Sequence, residues 1–380
     1  MDEGSTRSRP LAVLRAMIDA IDHDVLQLLA RRTALVGEIA GYKREHGVRI
    51  RDVAREREIY GDRCRRAEAL GLPAGEIEAV YRSILVASRD HQARLRAELP
   101  QDIEPQAVAV IGGRGAMGSC LARLFGDLGH AVMIADLGTE LTPVAAAQAA
   151  DVVIVSVPIP VTEEVIRQLG PHVRPESLLM DVTSVKRGPM AAMLDATSAS
   201  VVGTHPMFGP GVHTLQGQRV VLCPGRGQDW EAWVRQMLTA RGLVITEATP
   251  DEHDRAMAAI QVLTHFQTEV QGLTLSRLGL SLERTLPFTS PAYLMELYVT
   301  ARHFAQSPEL YGPIEMSNAD TGRVTEAFLA AAQELREIVA AGDQERFTAM
   351  FEEVRRFLGP FSAEALEQSS FLIDRLVERL

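Results

Sequence analysis

Lysine is nearly absent from this 380-residue chain. Of 39 basic residues only Lys43, in AGYKREHG, and Lys186, in TSVKRGP, are not arginine. Either these two are accidents of composition or ordinary surface residues, or each position needs a compact ammonium that a planar guanidinium cannot mimic. Cysteine is scarce as well. Cys64, Cys120 and Cys223 share no metal-ligand spacing and suggest no disulfide framework, which points to a reducing compartment. Excess positive charge is missing, and a formal net charge of −11 argues against a general nucleic-acid or anionic-membrane binder. Long apolar runs are missing too: DVVIVSVPIPV, 151–161, is too short and too proline-broken to span a bilayer. The opening MDEGSTRSRP is polar and reads as no signal peptide, so the expectation is a soluble cytoplasmic protein.

What is present is ordinary globular material, 46% hydrophobic and 23% charged, long enough for two or three domains. Residues 1–98 hold 18 basic against 16 acidic residues, whereas the remainder holds 21 against 34. That shift in balance marks a boundary, and ELPQDIEPQ, 98–106, reads as the linker. The expected division is 1–98 all-helical, 99–250 α/β, and 251–380 all-helical.

In the first part, Leu14, Ile18, Ile21, Val25, Leu28, Leu35, Ile39 and Tyr42 recur at steps of mostly four and three, a long amphipathic helix. A rod of about 45 Å is too long for a small monomer to cover, so a dimer sharing such helices is expected. Arg32 occupies the seam between Leu28 and Leu35. Its partner is either an internal glutamate or an external anion, because an unpaired buried guanidinium is very costly. Asp52 is a good N-cap for a second helix carrying Arg55 and Glu56, which Gly71 and Pro73 end. A third helix runs from Glu76 to about Leu95, and its apolar stripe turns polar at Ser88 and Gln92.

LRAMID, LLARRTALVGEIAGYK and RDVARERE, with the polar end of the third helix, resemble the all-helical chorismate mutase family. The resemblance implies that Arg15 and Arg32 clamp the two substrate carboxylates, Arg15 reaching across from the other subunit of an intertwined dimer. It implies that Lys43 and Gln92 donate to the ether oxygen, and that Asp52, Arg55, Glu56 and Ser88 hold the ring hydroxyl and one carboxylate. Rearrangement of chorismate to prephenate needs no nucleophile, base or metal. It needs a compact conformer and donors aimed at developing charge. A non-catalytic sensing or dimerising module is the alternative for this part.

AVAVIGGRGAMGSCLARLFGDLGHAVMIAD, 107–136, reads strand, glycine turn, helix, strand, acid: a Rossmann pattern. Gly113, Gly115 and Gly118 make the fingerprint, with Met117 beside it. Asp136 would accept from the adenosine ribose, which favours NAD over NADP; another nucleotide site, methyltransferase-like, is the alternative. Strands are expected at 151–158, 178–184 and 201–206. Ser156, Ser184, Lys186 and His205 stand at their carboxyl ends, where ligands lie in open α/β sheets. His205, before a proline- and glycine-rich loop, is either structural or catalytic.

VSVPI, DVTSVKRGP, GTHPMFGP, EHDRAMAAIQVLTHF and SPAYLMELYVTARHFAQ are similar to the prephenate dehydrogenase family, over roughly 105–380. The resemblance implies that His205 accepts the hydrogen bond or proton of the ring hydroxyl and that Ser184 supports His205 and the substrate. Arg302 would grip a carboxylate, and His265 and Lys186 would line the pocket, with no metal. Leu294 stands where some relatives carry arginine. Helices are expected at 252–279, 291–306, 322–341, 343–358 and 362–379, forming a domain that dimerises and closes the site. Together the parts imply a homodimeric fusion enzyme acting on chorismate and prephenate, with an arogenate-preferring dehydrogenase as the alternative.

Overall fold

The structure, a computed structural model, describes residues 9–46, 48, 52–95, 104–212 and 214–377. The first residues, 1–8, and most of the expected linker, 98–103, lie outside the described residues. The chain forms two compact units, one of Met1–Val152, Pro206–Val220 and Gly227–Thr246, the other of Val153–His205, Val221–Arg226 and Glu247–Leu380.

The N-terminal part is helical: α1 (Leu11–Glu45), α2 (Val53–Ala69) and α3 (Ala74–Leu95). Asp52 caps α2 by accepting from Arg55 N at 2.9 Å. The helix stops where Gly71 takes φ +73°, a conformation that suits glycine. Val36 and Ala40, one turn apart on α1, are buried, as are Ala67 of α2 and Leu85 of α3. The stripe expected to form the seam is not this face. Leu14, Ile18, Ile21, Val25, Leu28, Leu35, Ile39 and Tyr42 are all exposed in the single chain, Leu28 at 60%.

A seven-stranded sheet follows: β1 (Ala107–Ile111), β2 (Ala131–Ala135), β3 (Val152–Val155), β4 (Leu178–Asp181), β5 (Ser200–Pro206), β6 (Arg219–Arg226) and β7 (Val244–Glu247), in the order β2-β1-β3-β4-β5-β6-β7. β1 and β2 pair in parallel from Ala107↔Ala131 to Ile111↔Ala135, and β4 and β5 from Leu178↔Ser200 to Asp181↔Gly203. All four residues of β3 and of β4 are buried, the continuous pattern of strands covered on both faces. The strands of 151–158 and 178–184 end sooner than expected, because the chain turns into α6 (Ile159–Leu169) and α7 (Arg187–Ala196). β6 and β7 were not expected: β7 has four residues, and the eight-residue β6 contains Pro224. The remaining helices of this region are α4 (Ala116–Asp127), α5 (Pro143–Ala149) and α8 (Gln228–Ala240).

The C-terminal part is helical as expected, with two differences. The helix expected over 252–279 is α9 (Pro250–Met257), a π-helical stretch (Ala258–Leu263) and α10 (Thr264–Arg277). Such wide turns cluster at functional sites. After α11 (Leu282–Thr285) and α12 (Pro291–Phe304) comes α13 (Pro308–Ser317), absent from the expectation because Pro313 within it reads as a breaker. Then follow α14 (Thr321–Ala341), α15 (Gln344–Leu358) and α16 (Phe361–Val377).

Candidate active sites

The helical N-terminal part gathers a polar cluster where α1, α2 and α3 pack. Arg32 is half-buried and its Nη1 donates to the Ser88 hydroxyl, which itself donates to Ile84 O at 2.6 Å. Among the described residues the guanidinium is therefore met by a hydroxyl and not by a glutamate. Burial pushes its pKa down, and the nearby Arg63 adds to that push, although Tyr81 opposes it. Ser88 and Gln92, one turn apart on α3, are both buried, and Gln92 Oε1 has no hydrogen-bond partner among the described residues. Glu56 is engaged by Arg89 Nη1. The sequence reading missed Arg89, although it directly follows Ser88.

Other members of the expected set lie apart. Arg55 is exposed and pairs with Glu58 at 2.6 Å, and Asp52 is occupied as the cap of α2. Lys43 is half-buried on α1, 11 residues or about 16 Å along the axis from Arg32. Arg15 is exposed, 17 residues or about 25 Å from Arg32 along the same helix, too far to serve one small ligand with it in one chain.

The loop after β1 carries the glycine fingerprint. A Cβ on Gly118 would lie 2.3 Å from Gly112 O, and one on Gly113 would lie 2.8 Å from Ile134 Cγ2, so neither position admits a side chain. Gly115 is the N-cap of α4. The residue with positive φ is Gly112, at +80°, which the fingerprint passed over although the Gly-Gly pair announces it. Asp136, just past β2, accepts from Arg114 N at 2.8 Å and Leu137 N at 2.7 Å. Close backbone, a helix N-terminus and an acid after the second strand fit a dinucleotide with free ribose hydroxyls. Met117 is half-buried in the first turn of α4, and Ser156 is half-buried just past β3.

The second unit holds the histidine. His205, near the end of β5, is 3% exposed. Its Nδ1 lies 2.8 Å from His253 Nε2, and His253 Nδ1 lies 2.7 Å from Asp254 Oδ1. On the other side of the ring, Gln261 Nε2 of the π-helical stretch lies 3.4 Å from His205 Nε2, and Gln261 Oε1 is buried without a partner among the described residues. Burial pushes the His205 pKa well below its ordinary 6.5, and the charge of Lys186 pushes the same way, so the ring is neutral at pH 7. Ser184 is half-buried beyond the end of β4, and His205 Nδ1 is met by His253.

Lys186 corrects the sequence reading. It is fully buried, with Nζ paired to Asp181 and donating to Thr183 Oγ1 at 3.2 Å and Thr204 O at 2.8 Å. It lines no open pocket; it ties β4 to the residue before His205. His265 is half-buried beside Tyr311 and His303, with ring centroids 4.9 and 5.5 Å away, and burial lowers its pKa. Arg302 is exposed at the end of α12, and Leu294 is buried.

A parallel nucleotide-binding sheet with a neutral, buried histidine beyond a strand end, preceded by a cationic helical cluster, defines a two-part enzyme with an oxidoreductase half. The chorismate mutase type II family matches residues 14–93, the prephenate dehydrogenase nucleotide-binding domain 120–247, and the prephenate dehydrogenase dimerization domain 249–353. The glycine loop lies before the second of these matches and rests on its own geometry. The T-protein of Haemophilus influenzae is 35% identical over 365 residues, covering 95% of this chain and 96% of that one. The T-protein of Enterobacter agglomerans is 35% identical over 367 residues, covering 96% and 97%. The crystal structure of prephenate dehydrogenase from Aquifex aeolicus shares the fold, with TM-score 0.56, 19% identity, and coverage of 65% of this chain and 97% of that one. The chain belongs to the prephenate dehydrogenase family, in the T-protein form that carries a chorismate mutase type II domain in front. Both activities, isomerase and oxidoreductase, are those of tyrosine biosynthesis.

Proposed function

We propose that the chain acts as a cytoplasmic homodimer of three domains, 1–98, 99–250 and 251–380. It rearranges chorismate to prephenate at the Arg32 cluster and, with NAD, oxidises and decarboxylates prephenate at His205. The observation that carries the dehydrogenase reading is the neutral, buried His205 ring, whose Nε2 lies 3.4 Å from Gln261 Nε2 on the side away from His253. A substrate hydroxyl placed there donates to Nε2, and the ring takes its proton as the carbonyl forms. NAD, held by the Gly113–Gly118 loop and Asp136, supplies the hydride acceptor. Loss of the ring carboxylate as carbon dioxide then completes an aromatic ring, and Arg302 and His265 hold the carboxylates.

At the mutase site Arg32 and Lys43 supply cationic donors, and Gln92 supplies a neutral one. Arg15 completes the set from a second chain, which the exposed apolar stripe of α1 supports. Among the described residues no helix is long and apolar enough to cross a membrane, in keeping with a cytoplasmic protein. Chorismate, prephenate and arogenate, each supplied separately with NAD or NADP, test this reading through reduced cofactor. Prephenate with NAD is expected to be best, with NAD preferred by at least about tenfold in kcat/KM, about 1.4 kcal/mol. Equal use of NADP contradicts the assignment of Asp136, and faster oxidation of arogenate contradicts the substrate.

A further inference from the structure

The hydrogen bonds behind His205 run in series through His253 to one buried carboxylate. We propose that Asp254 and His253 are positioning residues that fix the tautomer of His205, so that Nδ1 carries the hydrogen and Nε2 presents its lone pair to the substrate. This rests on the reading of His205 as the proton acceptor, and it assigns roles to two residues beyond that reading.

The chain of bonds starts at a backbone. Asp254 Oδ1 accepts from Lys186 N at 2.8 Å and Oδ2 from Arg187 N at 3.0 Å, the N–H groups at the start of the ten-residue α7. The Asp254 carbonyl accepts from Asn318 Nδ2 at 2.8 Å, which pins the residue from α13's end as well. Burial pushes the Asp254 pKa up, yet the bond from His253 and the N–H groups of Arg187 and Lys186 outweigh it, and the net direction is down. The carboxylate is thus ionised, and an ionised carboxylate only accepts. His253 Nδ1, 2.7 Å away, must therefore carry a hydrogen. As part of this assignment that is the one hydrogen on the ring, which leaves His253 Nε2 a lone pair. His205 Nδ1, 2.8 Å away, is then the donor, and His205 Nε2 is the acceptor.

His253 is 1% exposed and Asp254 4%, so water does not compete for these bonds. The same chain stabilises the imidazolium that forms when Nε2 takes a proton, because positive charge can be shared toward the carboxylate. The other ionisable groups around the pair are Lys186 at the head of α7, Asp181 on β4 and Cys223 on β6. Lys186 and Asp181 are paired with each other, and burial holds the Cys223 thiol up at about 12. Asp254 is thus the carboxylate wired to the ring. The sequence signal was present: EHDRAM places His253 and Asp254 side by side on α9, and nothing in the mutase or the nucleotide loop has use for them.

Nitrogen-15 spectra of the histidine rings in the full-length chain test the tautomer without any catalysis, with His205→Asn assigning the signal. A protonated-type shift at Nδ1 and an unprotonated-type shift at Nε2 of His205 are expected. Asp254→Asn is expected to lower kcat for prephenate on the order of 10²-fold. KM should stay within about twofold, and the acid limb of the pH profile should move to lower pH, because the imidazolium loses its counter-charge. A residue that merely braced the fold would shift KM and thermal stability and leave the limb in place. The opposite tautomer in the parent protein, or an Asp254→Asn enzyme with parental kcat and limb, overturns the proposal. If His205→Asn itself oxidises prephenate at the parental rate, the underlying reading of His205 fails first, and the two failures are told apart.

Discussion

The Arg32 cluster and the His205 site solve opposite problems in one chain. Around Arg32 the cluster is polar and spread over three helices, half-buried at Arg32 and buried at Ser88 and Gln92, with Arg15 about 25 Å along α1. At His205 the working group is neutral because it is buried, and its partners His253, Asp254 and Gln261 come from one helical run of the same unit. A pericyclic rearrangement needs charge held in place, and that can be donated from a neighbour. A proton transfer needs a dry, tuned base, and tuning demands continuous packing around it. The long apolar stripe of α1 is exposed in the single chain, whereas His205, His253 and Asp254 are buried.

The comparison breaks most sharply at the base. His205→Asn is expected to slow prephenate oxidation by roughly 10²–10⁴-fold and to leave chorismate turnover within about twofold, in separate steady-state assays. Next comes Lys43→Arg, expected to cost the mutase on the order of 10²-fold in kcat/KM, about 2.7 kcal/mol, with prephenate oxidation untouched. A fork is too long and broad for a single donor aimed at an ether oxygen. Lys186→Arg belongs to a third category. Because Nζ is fully enclosed by Asp181, Thr183 and Thr204, a larger head overpacks the core and costs about 1–3 kcal/mol of stability. The KM for prephenate should stay unchanged in thermal-melt and kinetic measurements on the same sample. The expected outcomes thus divide the two lysines, a loss of mutase rate at Lys43 and a loss of stability at Lys186.

The smallest effect concerns Glu315 on α13. Burial, and then the charge and hydrogen bond of Glu269, push its carboxyl up to about 7 from an ordinary 4.5. A raised folded-state pKa adds stability that is full below pH 4.5 and lost as pH rises through 7. Glu315→Gln should therefore raise the melting temperature at pH 8 by a few degrees, and the gap should close at pH 5.

Much of this was legible in the sequence because local rules and global fold agree. The glycine turn between two apolar strands, the cap at Asp52 and the break at Gly71 each follow from one or two residues. Lys186 was misplaced because a lysine after a strand looks the same whether it meets a ligand or a buried aspartate five residues back. The His253 contact was invisible because it joins residues 48 apart, and a π-helical turn at Ala258–Leu263, which aims Gln261, has no sequence period of its own. The stripe of α1 was read as apolar and too long for one chain to cover, and it is exposed in the single chain.

The central claim is that one site is assembled from two chains and the other from one, and complementation measures it directly. Co-expressed Arg15→Ala and Arg32→Ala chains, each inactive as a mutase alone, should form mixed dimers in which one of the two mutase sites is intact. About half of the dimers are mixed at equal expression, so mutase activity should return to about a quarter of parental. Co-expressed His205→Asn and His253→Ala chains should return no prephenate oxidation beyond that of His253→Ala alone, because both residues serve the same chain's site. A mutase that stays silent in the first mixture, or a dehydrogenase that recovers in the second, would contradict the account.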